Sequence, residues 1–183
     1  NIMQRMSGIA THTHRLTEKI KHTKARLLDT RKTTPLFRML EKEAVRIGGG
    51  LNHRMGLYDM ILIKDNHIDF AGGITQAINR VNNYLKSKQL QIPIEIEVRS
   101  MEELQQVLEI GMVDRILLDN FSPNVLKKGV ALVNGRFQTE ASGGITELNI
   151  ASYAETGVDF ISVGALTHHV NSIDLSLKAN LTP

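Results

Sequence analysis

Apolar residues recur along the chain in two kinds of pattern. Some segments place them three, four or seven positions apart, which predicts helices with one buried face. Others are short continuous runs bounded by polar residues or glycine, which predict buried strands. The predicted helices cover residues 1–21, 35–47, 74–85, 101–108, 124–133, 146–155 and 172–178. The first predicted strand ends at Asp29, and the others cover residues 60–63, 93–98, 115–118, 137–141 and 160–163.

This alternation of strands and helices predicts a parallel sheet covered by helices. About six such units are present, whereas a TIM barrel repeats about eight, so we expect a short or incomplete TIM-like α/β barrel. A doubly wound open sheet is the alternative, but it gathers its ligands at a single switch point. Residues suited to chemistry follow nearly every predicted strand, which favours the barrel: Arg31, Lys32, Lys64, Glu97, Asp119, Ser142 and Gly164.

Composition narrows the class of protein. A length of 183 residues predicts one domain, and no stretch is apolar for long enough to span a bilayer. No secretory signal peptide is apparent, so we expect a cytoplasmic protein that does not enter membranes. Cysteine is absent, which excludes disulfides, thiolate catalysis and cysteine-based zinc sites.

The charge is distributed unevenly. Residues 1–64 carry 13 Lys and Arg against 5 Asp and Glu, whereas residues 65–183 carry 9 against 14. A basic first third suits either nucleic acid or a small anionic substrate. Aromatic residues make up only 4% of the chain and no basic run exceeds two residues, so nucleic-acid binding is not expected.

The turn after the first predicted strand is the leading candidate for chemistry. Arg31 and Lys32 follow the run that ends at Asp29, and Pro35 suits the first turn of a helix. Turns of this kind lie at the rim of an α/β fold, so we expect both cations to face a crevice. A solvated basic turn is the alternative interpretation.

A second candidate is a phosphate cradle. Ser142, Gly143 and Gly144 follow the second-to-last predicted strand, and Gly164 follows the last. Small residues let the backbone N–H groups approach an anion, and barrels often bind phosphate at this corner. An ordinary tight turn would produce the same glycines.

Two carboxylates alternate along the third predicted strand. Glu95 and Glu97 face the same side of it, and Asp119 ends the next strand. On an exposed edge strand they would be a solvated face, whereas inside a barrel they need cations or a metal. Mg²⁺ suits sparse carboxylates combined with phosphate oxygens, so we expect it at Glu97 or Asp119.

The histidines give a weaker signal. A TIM barrel has its site at the carboxyl ends of the strands, so residues that directly precede a strand lie at the opposite end. His53 and Arg54 follow a glycine run and precede a strand, and we therefore expect them away from the site. The glycine-rich stretch would have to fold back to bring them to the mouth. No His-Glu-x-x-His motif is present, and a structural zinc site is not expected.

Taken together, these blocks resemble the catalytic domain of the quinolinate phosphoribosyltransferase family, and they run in the family's order over almost the whole chain. The matching segments are residues 4–11, 29–35, 49–59, 62–67, 95–98, 118–120 and 141–145. The resemblance implies that residues 1–183 are the short catalytic α/β barrel. It also implies an N-terminal sandwich domain, which is absent from this sequence, and pairing of subunits as homodimers or higher homo-oligomers.

The resemblance further implies an enzyme of NAD synthesis, a pentosyltransferase. Its reaction joins quinolinate and phosphoribosyl pyrophosphate to give nicotinate mononucleotide, pyrophosphate and CO2. The family's substrate positions fall on Arg31, Lys32, His53, Arg54 and Lys64, its ribose and Mg²⁺ positions on Glu97 and Asp119, and its phosphate positions on Ser142, Gly143, Gly144, Gly164 and His168. Among these, Lys32, Lys64, Glu97 and Asp119 are the expected catalytic residues, with the Mg²⁺ contacts either direct or through the substrate.

Two other functions remain open from the residues. One is a barrel that binds a phosphorylated ligand without chemistry, such as a molybdenum-transport-associated relative. The other is a barrel isomerase or synthase with the same phosphate cradle. A phosphate binder does not need a dicarboxylate pocket, and an isomerase or synthase would lack the paired cations Arg31 and Lys32.

Overall fold

The computed structural model describes residues 1–179 of the chain. Helices and strands alternate through most of that range. The helices are α1 (Ile2–Ile20), α2 (Arg38–Ile47), α3 (Asp65–Ala71), α4 (Ile74–Lys88), α5 (Met101–Ile110), α6 (Pro123–Val133), α7 (Ile150–Ala154) and α8 (Ala165–His168). The strands are β1 (Arg26–Leu28), β2 (Ile61–Ile63), β3 (Ile94–Val98), β4 (Arg115–Asp119), β5 (Gln138–Ser142) and β6 (Phe160–Ser162).

The six strands form one parallel sheet in the order β1-β6-β5-β4-β3-β2. Within the described residues, β1 and β2 are the two ends of this order and do not pair with each other. A single parallel bridge between Leu28 and Leu51 lies on the free side of β1. The prediction of a short, incomplete TIM-like α/β barrel is therefore confirmed.

Alternation along the strands separates the core from the barrel interior. On β3, Ile96 and Val98 are completely buried in the hydrophobic core that the helices share with the sheet. Glu95 and Glu97, on the opposite side, belong to no part of that core and are also buried. The solvated-face interpretation of these carboxylates is wrong, because β3 lies between β2 and β4 and has both faces covered.

The start of the second helix differs from the prediction. Pro35 does not open α2, which begins three residues later at Arg38. Leu36 adopts a left-handed backbone with φ of 62°, and no helix continues through that conformation. Residues 30–37 instead form an irregular turn, so the end of β1 carries a longer loop than the sequence indicates.

Two other local predictions also fail. The segment Asp65–Ala71 is a helix that the sequence patterns did not indicate, and it ends at Gly72 with φ of 89°. The helix predicted over residues 172–178 is absent, and residues 170–179 contain no regular secondary structure. This segment runs against α1 instead, where the Ile173 N–H donates to the Gln4 carbonyl over 3.1 Å. Among the helices of residues 1–179, none combines the length and the apolar character that crossing a bilayer requires.

Candidate active site

A cavity of about 760 Å³ opens at the carboxyl ends of the strands. Its lining includes every residue predicted for the site from sequence: Arg31, Lys32, His53, Arg54, Lys64, Glu97, Asp119, Ser142, Gly143, Gly144, Gly164 and His168. A TIM-like barrel concentrates its site at this face, because side chains from all strand ends converge there.

The turn that carries Arg31 and Lys32 is fixed by a buried carboxylate. Glu41 of α2 accepts hydrogen bonds from the Thr34 hydroxyl at 2.8 Å and the Thr34 N–H at 3.0 Å, and it pairs with Arg5 of α1 at 2.9 Å. At the other side of the turn, the Thr167 hydroxyl donates to the Lys32 carbonyl over 2.6 Å. The turn is therefore held by its neighbours, which disfavours the interpretation as a solvated basic turn.

His53 and Arg54 do reach the mouth of the barrel. The buried Asp29 carboxylate, at the end of β1, accepts the His53 N–H at 2.8 Å and the Asn52 side chain at 2.6 Å. Lys42 of α2 donates to the same carboxylate and to the His53 carbonyl. The expectation that these residues lie at the opposite end is wrong, because the Leu51 bridge and Asp29 hold the loop against the carboxyl end of β1.

Three cations in the cavity have no acidic partner among the described residues. Among residues 1–179, the side chains of Arg31, Lys32 and Arg54 form no ion pair. The buried Arg31 Nε also has no hydrogen-bond partner within that range. Burial, followed by the charge of Arg31, lowers the pKa of Arg54. Uncompensated positive charge in a partly dry cavity is an environment that favours anions.

Lys64 is the cation of the cavity that does have an acidic partner. It follows β2, and its Nζ lies 2.8 Å from Glu97 Oε2 on β3. Its backbone N–H donates to His67 Nδ1 at the start of α3, which fixes the direction in which the chain leaves the strand. The helix that sequence patterns missed therefore positions a predicted catalytic residue.

The corner formed by β4 and β5 combines a carboxylate with a glycine turn. Asp119 accepts hydrogen bonds from the Ser142 hydroxyl and from the Asn120 side chain, each at 2.5 Å. Gly143 and Gly144 follow with φ of 91° and 61°. A Cβ on Gly143 would lie 2.1 Å from Asn120 Oδ1, so this position requires glycine on steric grounds as well. Asn120 supports the turn and was not predicted as a site residue.

Gly164 and His168 close the neighbouring side of the cavity. A Cβ on Gly164 would lie 2.8 Å from His168 Nε2 and 3.4 Å from Lys32 Cδ, so these three residues are packed together. Burial lowers the pKa of His168, and the nearby His169 and Lys32 lower it further. His168 therefore favours its neutral form at the cavity wall.

A charged layer lies beneath His53 inside the barrel. His53 Nε2 is 2.9 Å from Glu95 Oε2 and 3.5 Å from Glu140 Oε1, and Arg115 donates to Glu140 Oε2 at 3.0 Å. Sequence reasoning placed Glu95 inside the barrel but missed Glu140 and Arg115. Glu140 lies two residues before Ser142, so both side chains face the same side of β5. This spacing is the feature of the sequence that indicates an interior position for Glu140.

The chain was compared with protein families, curated proteins and solved structures. The family model described as quinolinate phosphoribosyl transferase, C-terminal domain, matches residues 9–178. The chloroplastic nicotinate-nucleotide pyrophosphorylase (carboxylating) of Arabidopsis thaliana is 48% identical over 192 residues, covering 97% of this chain and 55% of that protein. The probable nicotinate-nucleotide pyrophosphorylase (carboxylating) of Bacillus subtilis is 43% identical, covering 100% of this chain and 62% of that protein.

Solved structures give the same result. The nicotinate-nucleotide pyrophosphorylase of Francisella tularensis superposes with a TM-score of 0.89 at 46% identity, covering 94% of this chain and 60% of that one. NadC of Streptococcus pyogenes superposes with a TM-score of 0.91 at 38% identity, covering 98% and 61%. The chain thus spans 55% and 62% of the length of the two curated relatives above. It belongs to the family of quinolinate phosphoribosyl transferase C-terminal domains.

Proposed function

We propose that this chain carries the catalytic barrel of a quinolinate phosphoribosyltransferase. The reaction joins the pyridine nitrogen of quinolinate to the ribose carbon of phosphoribosyl pyrophosphate, and it releases pyrophosphate and CO2 to give nicotinate mononucleotide. One observation carries the proposal: within residues 1–179, Arg31, Lys32 and Arg54 converge without acidic partners in a cavity that also contains a glycine turn. Both substrates are anionic, and the cavity has separate groups for each.

The cations suit the two carboxylates of quinolinate. A guanidinium presents several N–H donors in a plane and can hold a carboxylate by two of them. The Arg54 side chain donates to the Met60 carbonyl over 3.3 Å, so part of its freedom is already lost before binding. The backbone of the turn that carries Arg31 is held through Thr34 and Lys32. A barrel that only binds phosphate has no need of this second group of cations. That is the reason for preferring an enzyme over a ligand-binding paralogue.

The Gly143–Gly144 turn and Gly164 suit the phosphate and pyrophosphate of the other substrate. Glycine backbones in left-handed conformations expose N–H groups to an anion, and Lys32 lies against Gly164 on the same side. A phosphate or sulfate introduced into crystals should bind at this turn, and an anion found elsewhere with the turn empty would contradict the assignment.

Glu97 and Asp119 fit a role beside the ribose. Bond breaking ahead of attack gives the ribose carbon cationic character, and nearby carboxylates stabilise that charge. Their oxygens are also the ligands that Mg²⁺ prefers, and Mg²⁺ is usually held by one or two carboxylates together with substrate phosphates. Glu97 is already paired with Lys64, and Asp119 already accepts a hydrogen bond from Ser142. Glu97 and Asp119 would therefore hold Mg²⁺ together with oxygens of the substrate, which would complete its coordination. Magnesium bound there supplies positive charge that stabilises the leaving pyrophosphate.

Decarboxylation needs no nucleophile from the chain. Once the pyridine nitrogen is bonded to ribose it is cationic, and its charge stabilises the electron pair left on the adjacent carbon when CO2 departs. A proton taken up from water then forms the C–H bond of nicotinate mononucleotide at that carbon. The contribution of Arg31 and Arg54 is to orient the ring so that its nitrogen faces the ribose carbon. Lys64 is bound to Glu97, which we place beside the ribose, so the positive charge of Lys64 lies between the positions of the two substrates.

The wider setting follows from the family resemblance. We propose that the complete enzyme is a homodimer or higher homo-oligomer in which an N-terminal domain covers the mouth of this barrel. Cytoplasmic location is our proposal for this chain, although the Arabidopsis relative is named as chloroplastic.

The test is a direct assay of the complete protein for nicotinate mononucleotide and pyrophosphate, with quinolinate, phosphoribosyl pyrophosphate and Mg²⁺ supplied. Nicotinate in place of quinolinate serves as a control, because it lacks the second carboxylate. We expect turnover with quinolinate and little with nicotinate. Tight binding of phosphoribosyl pyrophosphate without any product would instead support the ligand-binding alternative.

A further inference from the structure

The interior of this barrel contains a layer of charge where aliphatic side chains are usual. Glu95 and Glu140 are completely buried, and His53 and Arg115 have side chains that are 7% and 13% exposed. The proposed reaction gives Glu95, Glu140 and Arg115 no task. Charges in such a place are expensive to bury unless each oxygen and each nitrogen has a partner.

The protonation of His53 follows from its hydrogen bonds. The backbone N–H of Arg54 donates to His53 Nδ1 over 2.7 Å, so this nitrogen carries no proton. A neutral imidazole then has its proton on Nε2. That N–H points toward the carboxyl groups, since Nε2 lies 2.9 Å from Glu95 and 3.5 Å from Glu140.

Within the described residues, the carboxyl groups of Glu95 and Glu140 have too few hydrogen-bond donors. Arg115 satisfies Glu140 Oε2. Both oxygens of Glu95 and Oε1 of Glu140 have no hydrogen-bond partner within the described part of the chain. The single N–H of the His53 imidazole cannot donate to three carboxyl oxygens. If Glu95 and Glu140 were both ionised, their charges would repel each other, because both carboxyl groups lie within 3.5 Å of the same His53 nitrogen. A proton on Glu140 removes the repulsion and gives Glu95 a donor.

A metal ion is the other way to satisfy these oxygens. His53, Glu95 and Glu140 each offer a ligand atom, and the three atoms lie within 4.8 Å of one another. A histidine that binds a metal through Nε2 keeps its proton on Nδ1 and donates it to an acceptor. Here Nδ1 accepts a hydrogen bond instead, and Arg115 already occupies one carboxyl. The geometry therefore disfavours a metal.

We propose that Glu140 is a positioning residue. As a neutral acid hydrogen-bonded to Glu95 and held by Arg115, it keeps the Glu95 carboxylate in place to accept from His53 Nε2. It thereby sets the orientation of the imidazole, whose tautomer the Arg54 N–H determines, at the wall of the dicarboxylate pocket. It also keeps a second negative charge away from a site that must accept a dianion. The identity of that dianion rests on the proposed function, but the arrangement of Glu140, Glu95 and His53 does not.

The electrostatics of the cluster agree with this arrangement. Burial, followed by the charge of Glu95, raises the pKa of Glu140 to about 8. Burial also lowers the pKa of His53. At neutral pH, Glu140 and His53 are therefore both uncharged.

Two substitutions in the complete protein separate positioning from packing. Glu140→Gln keeps the shape, supplies an N–H to Glu95 and still accepts from Arg115. Glu140→Ala removes all three. We expect the alanine variant to raise the KM for quinolinate on the order of tenfold to a hundredfold, with a smaller effect on the KM for phosphoribosyl pyrophosphate, and the glutamine variant to recover most of that loss. Equal losses in both variants would overturn the proposal.

A second measurement does not depend on activity. Nitrogen-15 NMR of labelled histidine reports which ring nitrogen of His53 carries the proton, and infrared spectroscopy reports a protonated carboxyl. We expect the Nε2–H tautomer in the wild type and in both variants, a shifted His53 Nε2 signal in Glu140→Ala alone, and a carboxylic-acid band in the wild type that both variants lack. A His53 Nε2 signal in Glu140→Ala identical to that of the wild type, no carboxylic-acid band in the wild type, or a stoichiometric metal ion in the purified protein would refute the inference. Absence of nicotinate mononucleotide from the wild type, with these spectra as expected, would count against the proposed function alone.

Discussion

Lys64 Nζ lies 2.8 Å from Glu97 Oε2, so a cation at the end of β2 is bound to a carboxylate of β3 at the wall of the cavity. This pair unites the two halves of the proposed site, because Lys64 belongs to the cation set and Glu97 to the ribose side. Removing the lysine takes away a positive charge and leaves a mostly buried carboxylate without its partner.

We expect Lys64→Ala to lower kcat/KM by about 2–4 kcal/mol in transition-state free energy while the fold is retained, because the side chain is partly exposed. Steady-state kinetics and circular dichroism measure the two effects. Lys24→Ala is the matched control, since Lys24 pairs with Asp159 at 2.7 Å before β1, at the opposite end of the barrel. Near-normal turnover in the Lys64 variant, or equal losses in both, would remove Lys64 from the site.

The glycine turn offers a steric test. Gly143→Ala places a Cβ 2.1 Å from Asn120 Oδ1, which forces Asn120 and its partner Asp119 to move. We expect the KM for phosphoribosyl pyrophosphate to rise at least about tenfold, because a shift of this size disturbs several backbone donors at once. Gly72→Ala has a similar φ of 89° and no atom within 4 Å of the new Cβ, so it carries the same backbone strain without the clash. Similar kinetics in the two variants would rule out a phosphate role for this turn.

The buried pair beneath the His53 loop should be important for stability. Lys42→Met leaves the Asp29 carboxylate buried without its cation, and we expect a loss of about 3–5 kcal/mol in the free energy of unfolding. Denaturant titration gives this value. Adding Asp29→Asn should restore part of the stability, since the buried charge is then gone. If the single variant is as stable as the wild type, Asp29 and Lys42 do not hold the loop.

The raised pKa of Glu140 predicts how stability depends on pH. Its pKa in the folded protein is about 8, against an ordinary value of 4.5, so the folded state holds more protons than the unfolded state between these limits. The contribution of Glu140 is therefore fully present below pH 4.5 and is lost as the pH rises through 8. Between these two values we expect stability to fall by up to about 1.4 kcal/mol per pH unit from this group, and to level off above pH 8. Glu95 adds a change of the same sign.

Glu140→Gln serves as the control for this titration, because it cannot ionise. Urea denaturation at several pH values between 6 and 9 should give a flatter profile for the variant than for the wild type. His53 has a lowered pKa, and its effect on stability is complete near pH 6.5, so it does not contribute to the fall between pH 6.5 and 8. Parallel profiles for the two proteins would show that Glu140 is ionised throughout.

The last prediction concerns the open mouth of the barrel. Ion pairs exposed to water contribute about 1 kcal/mol or less, so a dianion in an uncovered cavity is held weakly. We expect residues 1–183 alone to bind phosphoribosyl pyrophosphate weakly and to turn over quinolinate poorly. Joining this chain to the part of the Bacillus subtilis relative that it does not match should raise turnover. Equal rates for the two proteins would show that the barrel is self-sufficient.

Much of the fold follows from local pattern. The runs that became β2 and β4 are short, apolar at their centres and bounded by polar residues, which is the pattern typical of strands buried on both faces. The helix predicted over 172–178 fails for the opposite reason. Ile173 and Leu177 are four residues apart, a spacing that suits a helix, yet both are exposed, and the segment bonds to α1 through its backbone. Tertiary contact overrides a weak local preference there.

The site was predictable wherever a residue directly follows a strand. Lys64, Asp119 and Ser142 are in this class, because the carboxyl ends of parallel strands share one edge. The position of His53 was not predictable, since it depends on hydrogen bonds with Asp29 and Lys42, which lie 24 and 11 residues away in sequence. Glu140 was missed because a single carboxylate within a strand gives no sign of its partners across the barrel. Such contacts become visible only when the register of β3, β4 and β5 is known.

Within the described residues, β1 and β2 are the two ends of the sheet order and do not pair with each other, and the loop that carries His53 and Arg54 lies on the free side of β1. The two proposed substrates are therefore recognised by different parts of the fold. The groups that face phosphate and ribose are attached to paired strands, so altering their backbone disrupts the sheet. His53 and Arg54 are on a loop that joins the sheet through one bridge at Leu51. Insertions or substitutions in that loop can change which acid is accepted while every strand pair remains. A descendant of this barrel could therefore exchange its proposed acceptor substrate and keep its proposed phosphoribosyl donor.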